Sequence, residues 1–289
     1  MSRFRAFLLF SILTACGPAV VPDGPIVVVD DMGRTTALAV PAERVVSLLP
    51  AFTETLFAIG AGPRVVGRSR FDEDPPAALD VPSVGDGLGP NIEAVIAQHP
   101  DLVLIYKATA NNDAVAQLER LGVAVVALRT DRLDDVARVA RILGRLTGTA
   151  DSAEVLARGF ALALDSARGV ALPYDAPSAL ILAWDQPPIV IGTGSFQSEL
   201  VRLAGMRNAF GDVGQPSAQV SIETIVAADP DLVITTSRDS VPGWARRPEW
   251  RAVRAVRDRQ FLRFDGTAFS HPSFRALDAV QRLKASVAP

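Results

Sequence analysis

The feature that most constrains the fold is a pair of similar segments, 91–104 and 221–234, which lie 130 positions apart. Each segment predicts a short helix that begins after a good N-capping residue, Asn91 or Ser221. Each helix should end before a Pro-Asp pair, because the residue that precedes proline is disfavoured in the α region. An apolar run follows, short enough for a buried parallel strand. Matching over fourteen positions favours an internal duplication over a chance recurrence of helix–strand units.

The rest of the chain extends this repeat into two halves. Upstream of each repeated segment, a short predicted helix ends at a glycine, Gly60 in the first half and Gly205 in the second. Strands alternate with helices in both halves, which is typical of α/β proteins. The sequence therefore predicts two Rossmann-like α/β lobes, an N-terminal lobe over residues 26–132 and a C-terminal lobe over residues 171–289.

The segment between the lobes, residues 133–170, predicts a long and rigid bridging helix. Its apolar residues recur at i, i+3, i+4 and i+7, starting from Val136, and Gly148 is the one point where the helix is expected to kink or break. Two α/β lobes on a rigid helix leave a cleft between them, which is a preferred place for a small-molecule site.

The N-terminal segment predicts export and a lipid anchor. Residues 1–16 carry a short basic start and an apolar run too short to span a bilayer, and they end in Leu13-Thr14-Ala15-Cys16, which resembles a bacterial lipobox. The alternative is an ordinary secretory signal with a chance cysteine. Residues 17–25 are rich in glycine and proline and predict a tether. We therefore expect a periplasm-facing protein anchored only through Cys16, and the leaflet stays open.

The residue counts exclude several functions. A single cysteine and two histidines, His99 and His271, exclude a disulfide framework, a Cys-rich zinc module and a multi-histidine metal cage. A net charge of −3 argues against nucleic acid as the partner. The sequence contains neither a Gly-x-Ser-x-Gly nucleophile elbow nor a Walker A loop, so an enzyme is not expected.

Several segments together resemble one family. The helical-backbone substrate-binding proteins of bacterial importers for cobalamin, iron-siderophores and haem have matching segments in the same order and spacing. The matching segments here are Asp30–Arg34, Val45–Glu54, Asp72–Pro76, the two Glu…Pro-Asp-Leu-Val units and His271–Arg275. The resemblance covers about residues 26 to 285 and is greatest to the cobalamin-binding members.

The resemblance implies a partner and the residues that meet it. Members of this family deliver their ligand to an ABC permease dimer with ATPase subunits, and one carboxylate from each lobe docks onto permease arginines. The matching positions are Glu93 and Glu223, which are the repeat-related pair. A first-turn glutamate is also favoured by the helix dipole, so the same residues have a structural explanation. The resemblance further implies a monomer.

The ligand implied is a corrinoid, most closely cobalamin, so no cofactor of the protein's own is expected. A corrinoid is a broad, largely apolar disc, and its site should offer aromatic surfaces. The candidates in loops that should face the cleft are Phe71, Tyr106, Trp184 and Phe269, with His271 as a possible contact to a metal chelate. Each aromatic could equally be a core residue at a strand end, and His271 could be a surface residue.

Two departures from the cobalamin-binding pattern leave other ligands open. Aromatic residues expected after Val84-Gly85-Asp86 and before Gln219 are replaced by Gly87 and Ser217. A ferric siderophore is the main alternative, since arginines hold anionic chelates and Arg68, Arg70 and Arg238 lie in suitable loops. Haem, with Tyr106 or His271 as axial ligand, is a second alternative, and an envelope scaffold protein without a ligand is a third.

Overall fold

The computed structural model describes residues 24–235, 239–264 and 267–287. The predicted signal peptide with Cys16, nearly all of the tether and Arg238 lie outside the described residues. Across the described ranges, every helix is too short or too polar to cross a membrane.

The described residues form strands and helices that alternate along the chain. The strands are β1 (Ile26–Val29), β2 (Thr35–Leu38), β3 (Val45–Ser47), β4 (Val65–Arg68), β5 (Leu102–Tyr106), β6 (Ala124–Leu128), β7 (Ser178–Asp185), β8 (Pro188–Ile191), β9 (Arg207–Asn208), β10 (Ser217–Gln219), β11 (Leu232–Thr235) and β12 (Phe261–Arg263). The α-helices are α1 (Pro50–Ala58), α2 (Ile92–Ile96), α3 (Asn112–Arg120), α4 (Leu133–Thr147), α5 (Ala150–Arg168), α6 (Phe196–Leu203), α7 (Ile222–Ala228), α8 (Arg254–Arg257) and α9 (Ala276–Val287).

The two lobes contain parallel sheets with the same strand order. In the N-terminal lobe the order is β4-β3-β5-β6, and all three pairings are parallel. In the C-terminal lobe β9, β7, β11 and β12 repeat this order with parallel pairings. An antiparallel extension is added there, because the second half of β7 pairs with β8 and β8 pairs with β10. The predicted α/β class with two lobes is confirmed, and the shared order is what an internal duplication predicts.

Both faces of the N-terminal sheet are buried, as the continuous apolar runs of its strands indicate. Along β5, Leu102 and Leu104 pack into a cluster with α1 and α4, whereas Val103 and Ile105 pack into a second cluster with α2 and α3. Alternate residues of a strand point to opposite faces, so the side chains of one apolar run pack against a helical layer on each face of the sheet.

The β1–β2 hairpin covers the outer edge of β6. Its turn is built on Asp30, whose carboxylate accepts hydrogen bonds from the Arg34 backbone and side chain and from the Ala127 N–H at 3.1 Å. Burial alone would raise the pKa of Asp30, but the bonds from Arg34 and Ala127 lower it. The hairpin thus protects a sheet edge that would otherwise present unpaired backbone groups.

The bridge is helical, as predicted, but it consists of two helices and not one. The chain reverses at Gly148, whose φ of 69° is the left-handed conformation that glycine adopts without strain. Helix α5 returns antiparallel to α4, and its end pairs with the start of α4 through Arg168 and Asp134 at 2.7 Å. The sequence located the interruption correctly, but its periodicity could not show that the chain folds back.

Both helices of the bridge extend from one lobe to the other. The N-terminal residues of α4 and the C-terminal half of α5, including Phe160, belong to the core of the C-terminal lobe. The remaining halves, including Leu143 and Ala153, belong to the core of the N-terminal lobe. The 19 residues of α5 span about 28 Å at 1.5 Å per residue. A paired helical hairpin therefore connects the lobes, and it resists bending more than a single helix would.

The close contact between the two bridging helices gives a test of this packing. A Cβ atom at Gly144 would lie 2.3 Å from the Cβ atom of Ala153, whereas a Cβ atom at Gly159 would meet no atom within 4 Å. We expect Gly144→Ala to lower the free energy of unfolding by about 1–3 kcal/mol, because the helices must separate. The matched change Gly159→Ala should raise it by about 0.5–1 kcal/mol through helix propensity. Urea unfolding of both variants measures this, and equal effects would show that the helices are not in close contact.

Candidate functional site

A cavity of about 740 Å³ lies between the lobes at the carboxyl ends of their strands. Ligands of open α/β sheets bind outside these ends, where the connecting loops converge. The N-terminal lobe lines the cavity with Leu48, Leu49, Pro50, Phe71, Asp86, Gly87, Leu88, Tyr106, Thr130 and Asp131. The C-terminal lobe contributes Gly194, Ser195, Phe196, Gln197, Pro216, Ser270, His271 and Pro272. Most of these side chains are apolar or small, so the cavity suits a ligand with a large apolar body.

The loop after β4 presents Phe71 at the cavity. The loop is anchored by the buried carboxylate of Asp72, which accepts 2.5 Å hydrogen bonds from the hydroxyls of Thr53 and Ser69. Burial raises the pKa of Asp72 in spite of these bonds. The Ser69 hydroxyl also accepts a bond from the Phe71 backbone N–H at 3.2 Å. Asp72 and Ser69 therefore fix the backbone of the loop, while Phe71 remains 54% exposed.

Arg70 reinforces this arrangement from the outer side of the loop. Its guanidinium lies 4.7 Å from the centre of the Phe71 ring and pairs with Asp86 at 3.0 Å. The cation thus neutralises one of the two carboxylates of the cavity wall and stacks on the aromatic ring.

Tyr106 ends β5 and lies in the cavity wall. Its hydroxyl donates a 2.6 Å hydrogen bond to Asp131, which also lines the cavity. Burial, together with this bond and the charge of Asp131, raises the pKa of Tyr106 to about 12. The phenol is therefore a hydrogen-bond donor in the cavity wall at neutral pH.

Gly87 is held close to the backbone of the strand that precedes α1. A Cβ atom there would lie 2.6 Å from the carbonyl oxygen of Leu48. The carbonyl of Gly87 also accepts a 2.7 Å hydrogen bond from the buried side chain of Asn111. A larger residue at this position is incompatible with this close approach. Ser217, the second departure, lies exposed in β10, next to Pro216 of the cavity wall.

Two contacts join the lobes beside the cavity. His271 Nε2 lies 2.9 Å from Oε1 of Glu54, a residue of α1 whose side chain is 1% exposed. Arg275 pairs with Asp74 at 2.5 Å. Burial would lower the pKa of Arg275, but the bond to Asp74 and the charges of Asp74 and Glu54 raise it. The loop before α9 is thereby tied to the N-terminal lobe at two points.

The described part of the cavity wall contains two aspartates and no arginine or lysine. The arginines considered for an anionic ligand are otherwise engaged. The Arg68 guanidinium donates to backbone carbonyls of Val81, Ser69 and Asp72, and Arg70 is paired with Asp86. Arg238 lies outside the described residues. The wall is thus better suited to a neutral or cationic ligand than to an anionic one.

Two predicted ligand contacts lie outside the cavity wall. Phe269 is 4% exposed and packs on Phe264, with 4.9 Å between ring centres, in the core of the C-terminal lobe. It is therefore a core residue, which corrects the expectation of a cleft position. Trp184 is 59% exposed near the end of β7, and its indole N–H donates to the Gln186 carbonyl. The chain turns back into β8 just beyond Trp184, and this carries the indole outside the wall.

The repeat-related glutamates occupy equivalent positions on the two lobes. Glu93 and Glu223 are exposed residues in the first turns of α2 and α7. Both helices are capped alike, because the side chains of Asn91 and Ser221 each accept a backbone N–H three residues ahead. Hydrogen bonds from Ser221 and from its own backbone lower the pKa of Glu223. Each lobe thus presents a carboxylate on its surface.

Sequence reasoning missed three residues that shape the cavity, namely Glu54, Asn111 and Asp131. Glu54 contacts His271, and the side chain of Asn111 donates to the carbonyls of Gly87 and Tyr106. Asp131 accepts a hydrogen bond from the Tyr106 hydroxyl. All three resemble ordinary helix or loop residues in the sequence, so only the position of Glu54 as the one charged residue of α1 could have drawn attention. Within the described residues, no group of three or more His, Cys, Asp or Glu could hold a metal ion.

Comparison with known proteins gives consistent matches over most of the chain. A family model described as "Periplasmic binding protein" matches residues 45–268. The vitamin B12-binding protein of Vibrio cholerae is 28% identical over 243 residues, which cover 84% of this chain and 88% of that protein. A crystal structure of the Vibrio cholerae protein has a TM-score of 0.71 at 28% identity and covers 85% of this chain and 96% of that one.

Two further relatives have descriptions that differ from that of the vitamin B12-binding protein. An uncharacterised ABC transporter substrate-binding lipoprotein of Bacillus subtilis is 26% identical over 272 residues, which cover 92% of this chain and 86% of that protein. A periplasmic haem-binding protein from Roseiflexus has a TM-score of 0.72 at 25% identity and covers 86% of this chain and 100% of that one. Structural likeness alone therefore does not choose between a corrinoid and haem.

Proposed function

Since this chain belongs to the periplasmic binding protein family and is a binding protein of the ABC-importer type, we propose that its cargo is a corrinoid, most closely cobalamin. The protein captures the corrinoid in the cavity between its lobes and delivers it to a permease. Phe71, Tyr106 and His271 are the ligand contacts among the residues expected from the sequence.

The observation that carries this proposal is the character of the cavity wall. It is largely apolar, it presents an exposed aromatic ring, and its described part contains no arginine or lysine. Arg70, which stacks on that ring, is already paired with Asp86. A corrinoid is a broad apolar disc whose arms end in neutral amides, which such a wall can hold. The carboxylates of haem and the anionic groups of siderophores call for cations.

Delivery and anchoring complete the proposal. Glu93 and Glu223 present one carboxylate from each lobe, and a permease dimer with twofold symmetry can meet them with arginines. Cys16 carries the lipid that holds the protein to the membrane, which agrees with the lipoprotein described in Bacillus subtilis.

Calorimetric titration tests the proposed cargo. The purified protein is titrated with cyanocobalamin, dicyanocobinamide, a ferric hydroxamate siderophore and haemin. We expect micromolar or tighter binding of the corrinoids and at least tenfold weaker binding of the other two chelates. Tighter binding of the siderophore or of haemin would reassign the cargo. If none of the four bound or raised the melting temperature, a ligand-free envelope scaffold would become the better explanation.

A further inference from the structure

The contact between His271 and Glu54 leaves one nitrogen of the imidazole ring available. His271 lines the cavity, its side chain is 13% exposed, and its Nε2 atom is 2.9 Å from the buried carboxylate. Among the described residues, Glu54 Oε2 is the only buried side-chain nitrogen or oxygen without a hydrogen-bond partner. Nδ1 has no partner among them either, so it is not buried. It is therefore the ring nitrogen that stays open, on a residue that lines the cavity.

The carboxylate determines what this nitrogen can do. A carboxylate that accepts the Nε2 proton from a neutral imidazole leaves the lone pair on Nδ1. The same arrangement holds metal-binding histidines in proteins generally, where a carboxylate on the second ring nitrogen fixes the tautomer and makes the ligating nitrogen more basic.

We propose that His271 coordinates the metal of the bound chelate through Nδ1 and that Glu54 is the positioning residue that orients it. The inference rests on the proposed function and narrows it, because the cargo must then have an axial position that is open or exchangeable. With a cobalt(III) corrinoid that carries axial water, the Co–O bond to water breaks, a Co–N bond to His271 forms, and the oxidation state does not change. One histidine suffices, because the chelate supplies the other ligands of the metal.

A purely structural role for the pair explains the geometry less well. Arg275 and Asp74 already tie the same loop to the N-terminal lobe with a charged pair. Glu54 has one carboxylate oxygen buried without a partner, an arrangement that proteins usually avoid. An apolar contact would join the lobes without this defect, whereas a carboxylate on one ring nitrogen fixes the tautomer and raises the basicity of the other.

Absorption spectroscopy with two cobalamins tests the coordination directly. Aquocobalamin has an exchangeable axial water, whereas the cyanide of cyanocobalamin blocks the same position. We expect the visible bands of aquocobalamin to move, on binding, to those it shows in imidazole buffer, while the bands of cyanocobalamin stay unchanged. His271→Ala should abolish the movement. Glu54→Gln should weaken aquocobalamin binding roughly 10- to 100-fold and should affect cyanocobalamin much less.

The matched control is His99→Asn, which changes the other, exposed histidine at a position with φ of 49° that asparagine tolerates. It should bind both cobalamins as the unchanged protein does. If Glu54→Gln does not fold, the loss of the band movement in His271→Ala decides the matter alone. Equal binding of both cobalamins without a band movement would overturn the coordination and leave the proposed function intact. Binding of neither cobalamin would overturn both.

Discussion

Replacing Glu93 and Glu223 together by lysine is expected to abolish cargo uptake and to leave the affinity for the cargo unchanged. Both carboxylates are exposed in first helical turns on different lobes, away from the cavity wall. If they meet arginines of the permease, charge reversal turns two attractions into two repulsions. Uptake in cells that depend on this receptor and calorimetry on the purified variant measure the two effects separately.

A matched double variant separates docking from a general charge effect. Asp113 and Asp151 are also exposed carboxylates in first helical turns, of α3 and α5. Changing both to lysine alters the net charge and the helix dipole interactions by the same amount, and uptake should persist. Survival of uptake in the Glu93/Glu223 variant, or its loss in the control, would contradict the docking role.

Phe71→Ala is expected to weaken cargo binding by about four- to fifteenfold. Covering a fully exposed phenylalanine side chain contributes about 1.5–3 kcal/mol, so covering the exposed half of Phe71 contributes about 0.8–1.6 kcal/mol, and 1.4 kcal/mol corresponds to a factor of ten. Phe71 is 54% exposed in the cavity wall, so an apolar disc in the cavity can cover most of it. Phe71→Leu should recover part of the lost affinity, because it restores apolar area without the ring. Titration calorimetry with cyanocobalamin measures all of these variants.

Trp184→Ala is the control for Phe71→Ala. The indole of Trp184, at 59%, is about as exposed as the Phe71 side chain, but it lies outside the cavity wall. Its removal should leave the affinity for cyanocobalamin unchanged within a factor of two or so, since it gains no contact from a cavity ligand. A loss as large as that of Phe71→Ala would show that the ligand extends past the cavity to the β7–β8 turn.

Helices and strands were predicted well where the signal lay in neighbouring residues. The Asn91 and Ser221 caps, the Pro-Asp stops and the apolar runs of β5 and β11 identified both repeated units. The bridge shows the limit of such signals, because periodicity and Gly148 predict a helix and its break but not the angle at which the chain continues. That angle is set by the packing of α5 on α4, with Gly144 allowing the close approach to Ala153.

The cavity was predicted in its location and only partly in its composition. Phe71, Tyr106 and His271 follow strands whose carboxyl ends face the cleft, and the structure has them in its wall. Phe269 follows a strand as well, but it turns into the core and stacks on Phe264. An aromatic residue at a strand end can pack in either direction, and the choice depends on neighbours that are remote in the sequence.

The sequence by itself determined the two lobes, the helical connection, the repeat-related glutamates and the scarcity of histidine and cysteine that excludes a bare metal site. These features are local patterns or counts, so they are independent of how distant segments meet. Only the tertiary structure decided which aromatic rings border the cavity, that its described wall lacks a cation, and that His271 meets Glu54, 217 positions away. Such contacts join the two lobes, and their geometry is set by the packing of both lobes on the helical hairpin.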